Sequence, residues 1–308
     1  MRGPLSRWLG SRWLAMLLAV FLPALQAGAE EGRAAGPAVV RVSDWRAPGE
    51  EQRPDYFHDL FRRLMAETAA EHGPVRIEPV RDRLSQTRLL AEVRAGRIDV
   101  TWSATSSSRE RAIRPVRIPI DMGLIGQRVP VIRADRAADF ARVHTLEDLQ
   151  RFTACQGAQW PDADILAAAG LPQVTNVHFD QLYAMLRAGR CDYFARGVAE
   201  VAGEVAIWGG KDLLVFDRLV IAYPMPVYFF VAPGREELAR RLEQGLRSML
   251  ASGALRDMLS THPSTRGAFP LERFNEAVVI RLPNPTLPPE TPLGEAGLWL
   301  GVGKQGAS

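Results

Sequence analysis

Apolar and polar positions along this chain alternate between two periods. Residues 38–43 read as a buried strand. Phe57, Leu60, Phe61, Leu64 and Met65 then recur at helical spacing, with Asp55 ahead of them as a cap. Residues 75–80 read as a second strand, 84–95 as a second amphipathic helix ended by Gly96, and 98–102 as a third strand. This order predicts a mostly parallel sheet with helices on its faces. The order then repeats. Strands are predicted at 152–156, 173–179 and 191–195, with helices at 162–169, 181–188 and 198–208. Gly170 and Gly189 end the first two of those helices.

The predicted fold class is therefore α/β, with two Rossmann-like lobes joined by two crossing segments. Residues 128–133 read as one extended connection. Residues 219–232, apolar and interrupted by Pro224 and Pro226, read as the other. The helix predicted over 235–250, with Leu238, Leu242, Leu246 and Met249 on one stripe, returns to the first lobe. The expected division is 37–130 with 225–267 for lobe 1, 131–224 for lobe 2, and a proline-rich extended tail over 268–308.

Charge and cysteine change the picture at two points. The chain has 38 Lys and Arg against 35 Asp and Glu. The three arginines of residues 1–29, Arg2, Arg7 and Arg12, account for the whole excess. They precede an apolar stretch over 13–25 that is too short to span a bilayer, and then Ala27-Gly28-Ala29. That is the pattern of a signal peptide over 1–29, cleaved after Ala29 or, alternatively, after Ala27. The remainder is neutral and offers no footprint for nucleic acid. Export places Cys155 and Cys191 in an oxidising compartment, where a disulfide between them is expected. The loop it would close makes the bridge worth roughly 3–4 kcal/mol in the chain-entropy account.

Ligands of open α/β sheets bind beyond the carboxyl ends of the strands, so the informative residues follow the strands. The run Thr101-Trp102-Ser103-Ala104-Thr105-Ser106-Ser107-Ser108-Arg109-Glu110-Arg111 ends a strand in hydroxyls and then two arginines. Hydroxyls, free N–H groups and a planar guanidinium suit a carboxylate. Arg111 is the expected anchor, with Ser108 and Thr105 beside it, and Arg109 is its competitor two positions away. In the second lobe Gln159, Trp160 and Arg196 follow strands. Glu200 and Glu204, a helical i, i+4 pair, are placed either to neutralise Arg196 or to supply an acid for a ligand ammonium. Trp45, Trp102 and Trp160 are candidate aromatic walls. The five histidines are scattered without metal-ligand spacing, and there is no G-x-S-x-G elbow and no P-loop. No metal and no cofactor is expected.

These motifs resemble those of the family 3 extracellular solute-binding proteins, which have the type II periplasmic binding protein-like fold. Gly96-Arg97-Ile98-Asp99 fits the family's "G-x-x-D" step, and Ser106 to Arg111 fits "T-x-T-x-x-R". Gly189-Arg190-Cys191-Asp192 fits the corresponding step of the second lobe. The resemblance implies a monomeric periplasmic binding protein and a small-molecule ligand, an amino acid or related organic acid. Its α-carboxylate would sit on Ser108 and Arg111. An inner-membrane ABC transporter permease is the implied partner. Arg117-Ile118-Pro119-Ile120-Asp121 departs from the family by lacking aromatics. Arg196-Gly197 stands where amino-acid binders carry an acid for the ligand ammonium. The alternatives are a dehydratase-like enzyme on the same fold, with Glu200 as its acid, and a sensory or partner-binding module.

Overall fold

Asp55 accepts the His58 N–H and so starts a helix, Tyr56–Glu67, that buries Tyr56, Leu60, Phe61, Leu64 and Met65 along one face. The same logic, an apolar stripe against a sheet, organises the rest of the chain. The computed structural model describes residues 37–44, 52–81 and 84–302. The expected signal segment and Trp45 lie outside these residues. The strands in chain order are β1 (Ala38–Ser43), β2 (Val75–Val80), β3 (Val100–Ala104), β4 (Arg114–Val116), β5 (Gln127–Arg133) and β6 (Ala154–Gly157). They continue with β7 (Gln173–Asn176), β8 (Tyr193–Gly197), β9 (Leu213–Val215), β10 (Leu219–Ala222), β11 (Val227–Val231) and β12 (Val278–Arg281).

Two mixed sheets result, one per lobe. The first has the order β2-β1-β3-β11-β4, with β1 parallel to β2 and β3, and β11 antiparallel to β3 and β4. The second has the order β12-β10-β5-β8-β6-β7, with β9 also paired to β5. The helix Glu236–Ala251 packs on Tyr56–Glu67, and its buried Arg241 donates to Thr68 Oγ1 and to the Met65 carbonyl. Among the described residues no helix is long and apolar enough to cross a membrane.

The crossings differ in position from the sequence reading. Residues 128–133 are not a connection: they belong to β5, which finds β8 on one edge and β9 and β10 on the other. The first crossing is residues 117–126, and the second is residues 223–226, between β10 and β11. The tail is also more than extended chain, because β12 pairs in parallel with β10.

Both G-x-x-D aspartates clamp strand beginnings. Asp99 is buried and accepts from the Arg41 side chain and backbone and from Arg235. Burial pushes its carboxyl up, but those bonds outweigh it and hold the pKa below the ordinary carboxylate value. Asp192 accepts from Arg136 at 2.8 Å and from the Thr153 N–H at 2.8 Å. Beside it the expected disulfide is present: Cys155 on β6 and Cys191 ahead of β8 have Cα atoms 5.5 Å apart.

Candidate functional site

On the first lobe the chain leaves β3 and enters a short helix, Ser107–Ala112, capped by Ser106. Arg109 is buried there, and its Nη1 donates to Ser103 Oγ at 2.7 Å and to the Ala104 carbonyl at 2.6 Å. Its Nη2 donates to Gln86 Oε1 at 2.7 Å and, across the cleft, to the Gln159 carbonyl of the second lobe at 3.1 Å. All four acceptors are neutral. Burial pulls the guanidinium down to about 10, so it remains charged at neutral pH.

Arg111, the expected anchor, is exposed. It lines a polar groove of about 620 Å³ together with Arg114, Arg117, Glu243 and Arg247. Within the helix Arg109 is the buried position, and Arg111, two residues on, falls on the exposed side. Ser108 is exposed and meets Ser106 Oγ at 3.0 Å. Thr105 is buried, with its hydroxyl tied to Glu110 at 2.6 Å. Trp102 belongs to the first lobe's core, stacked on Phe57 at 5.9 Å and edge-on to Phe229.

On the second lobe Arg196 lies among its own acids and aromatics. Its Nε and Nη2 reach Glu204 at 2.6 and 2.5 Å, and Nη2 reaches Glu200 at 3.0 Å. The guanidinium carbon is 4.9 Å from the Trp160 ring centre, 5.3 Å from Phe179 and 5.0 Å from Phe194. Gly157 makes this cage possible, because a Cβ there would lie 2.4 Å from the Trp160 ring. Gln159 contributes its backbone carbonyl, not its exposed side chain. Arg196 thus carries a charge already met by two carboxylates, and Glu200 keeps 31% of its side chain open.

Sequence reasoning missed a second buried network. Arg128, at the start of β5, pairs with Asp162 at 2.6 Å and donates to Tyr223 Oη at 3.2 Å. The Tyr223 hydroxyl donates to Asp162 at 2.5 Å. The charge of Asp162 offsets part of the lowering that burial imposes on Arg109, and it adds to the raised pKa of Glu200, whose main cause is burial. It therefore sits electrically between the first lobe's guanidinium and the second lobe's acids. Nothing local marks Arg128, since a buried charge at a strand end looks like a surface one until its partner is known.

The two sheets, their strand orders and the double crossing define the type II periplasmic binding protein fold. No family model and no curated protein sequence matches the chain. Among solved structures, a binding component of an ABC transporter from Wolinella succinogenes, complexed with lysine, superposes with a TM-score of 0.57 at 13% identity. That match covers 73% of this chain and 95% of the other. An ancestral amino-acid-binding protein, a precursor of cyclohexadienyl dehydratase, superposes at 0.55 with 15% identity, over 73% and 95% of the two chains. A histidine kinase sensor domain with similarity to periplasmic binding proteins superposes at 0.52 with 19% identity, over 74% and 96%. At these identities the likeness is one of fold.

Proposed function

We propose that this chain captures a small carboxylate-bearing solute, an amino acid or related organic acid, between its lobes in the periplasm, for an ABC-type permease. One observation carries the reading. Arg109 is a buried, charged guanidinium at the lobe boundary whose bonds all go to neutral oxygens. A buried charge is normally paired, and a ligand carboxylate in the fork geometry supplies the missing partner. Glu200, with 31% of its side chain open, is the acceptor this reading assigns to a ligand ammonium. The anchor in this reading is Arg109, and Arg196 serves to hold Glu200 and Glu204. The Arg109 bond to Gln159 already holds the lobes together, so binding would exchange it for one to the ligand as the lobes open and reclose about the two crossings. The buried disulfide supports an oxidising compartment.

The enzymatic alternative has little to work with, since Glu200 already accepts from Arg196. The test is a thermal-shift screen of the purified protein against the twenty L-amino acids, dicarboxylates and aromatic acids. A ligand at 100 times its Kd adds roughly 2.7 kcal/mol. For a chain of this size that is a rise of about 5–11 °C. A panel in which no carboxylate raises the melting temperature would refute the reading.

A further inference from the structure

The chain passes between the lobes a third time. Beyond β12, Leu282 donates its N–H to the Ala222 carbonyl at 2.8 Å, at the end of β10. Asn284 donates Nδ2 to the Pro224 carbonyl, in the second crossing, at 2.8 Å. The same side chain accepts through Oδ1 from Thr286 N at 2.9 Å and from Thr286 Oγ1 at 2.7 Å. This turn aims the Thr286 carbonyl at the first lobe, where it accepts from Ser107 N at 2.8 Å and Ser107 Oγ at 3.0 Å. Ser107 is the first residue of the helix that carries Arg109.

The segment then runs back along the hinge. Leu300 donates its N–H to the Met122 carbonyl, in the first crossing, at 2.8 Å. The Trp299 ring lies directly on Gly123, where a Cβ would come within 2.5 Å of it. Leu298 and Val302 are buried in the main core. One continuous segment therefore touches both crossings and the Arg109 helix.

We propose that residues 282–302 act as a strap that positions the Arg109 helix and sets the balance between open and closed lobes. Hinges open through backbone rotation in a few connecting residues. Here those residues are bonded to a third connection that must move with them. The strap holds the lobes closed and keeps the Arg109 turn in place. The consequence for affinity rests on the ligand-capture reading, but the consequence for lobe opening does not.

Asn284→Ala removes three hydrogen bonds at the start of the strap and alters no residue assigned to the cleft. Small-angle scattering of the ligand-free parent should match the closed structure, with a radius of gyration of about 18–19 Å for the compact part. Asn284→Ala should give a larger value. With the twenty L-amino acids, dicarboxylates and aromatic acids as probes, any that binds the parent should bind Asn284→Ala about tenfold more weakly, as the competent state loses population. Superimposable scattering curves for parent and Asn284→Ala would overturn the strap, whatever the probes do. So would a lowered melting temperature with neither scattering nor affinity changed. An enlarged Asn284→Ala together with a silent probe panel would uphold the strap and remove the ligand-capture reading alone.

Discussion

Arg196→Ala separates a structural cation from a ligand contact. In the structure the guanidinium is 5% exposed, meets Glu204 through two nitrogens and Glu200 through one, and lies against three aromatic rings. Its removal leaves Glu204 without a cation and Glu200 with only Arg128, whose Nη1 lies 3.7 Å away. Breaking a buried pair costs about 3–5 kcal/mol. Glu200 and Glu204 are 31% and 14% exposed, so water recovers part of that, and the lower end, about 3 kcal/mol, applies. The corresponding fall in melting temperature is about 6–12 °C. Calorimetry at pH 7 measures it. Methylguanidinium at millimolar concentration should refill the cage and raise the melting temperature of Arg196→Ala while leaving the parent unchanged. A fall of less than about 2 °C, with ligand affinity lost, would instead make Arg196 a ligand contact and refute the structural role.

Two other substitutions test the frame of the site. Asp121, in the first crossing, accepts from the N–H groups of Gly123, Ile125 and Val227, yet burial lifts its carboxyl to about 6. A raised acid stabilises the fold in its protonated form, so this contribution is complete below about pH 4 and is lost as pH rises through 6. It is worth about 3 kcal/mol, and urea melts from pH 4 to 7 should show the decline in the parent and not in Asp121→Asn. The disulfide is buried at both ends, so the double substitution Cys155→Ala/Cys191→Ala should cost about 3 kcal/mol, read as a fall of about 6–12 °C in the melting temperature. A fall under 2 °C would show that the closed loop constrains the unfolded chain little.

The alternation of strand and helix was legible because each element carries its own period. Leu60, Phe61 and Leu64, or Leu238, Leu242 and Leu246, announce a buried face without reference to any partner. Where a partner decides, the sequence was ambiguous. The apolar run after Arg128 looks alike as a bridge between lobes or as a central strand, and pairing with β8 settles it. Val278 to Ile280 is too short to read as a strand until β10 lies alongside. In the site, the turn from β8 into the next helix brings Glu200 and Glu204 back onto Arg196, and the choice of Arg109 over Arg111 depends on which side of a six-residue helix faces the cleft, which the sequence leaves open. Trp102 could not be divided between core and cleft by sequence, because an aromatic ring suits both.

The claim that Arg109 holds the ligand's carboxylate is tested most directly by calorimetric titration. The parent and Arg109→Lys would be titrated with whichever L-amino acid raises the parent's melting temperature most. Lysine keeps the charge but loses the planar fork. The account predicts a fall in affinity of at least about tenfold in Arg109→Lys, beyond the fall in melting temperature that its lost bonds to Gln86 and Gln159 bring to the ligand-free protein, whereas Arg111→Lys binds and melts as the parent does. Equal affinity in the parent and Arg109→Lys, or a loss confined to Arg111→Lys, would contradict it.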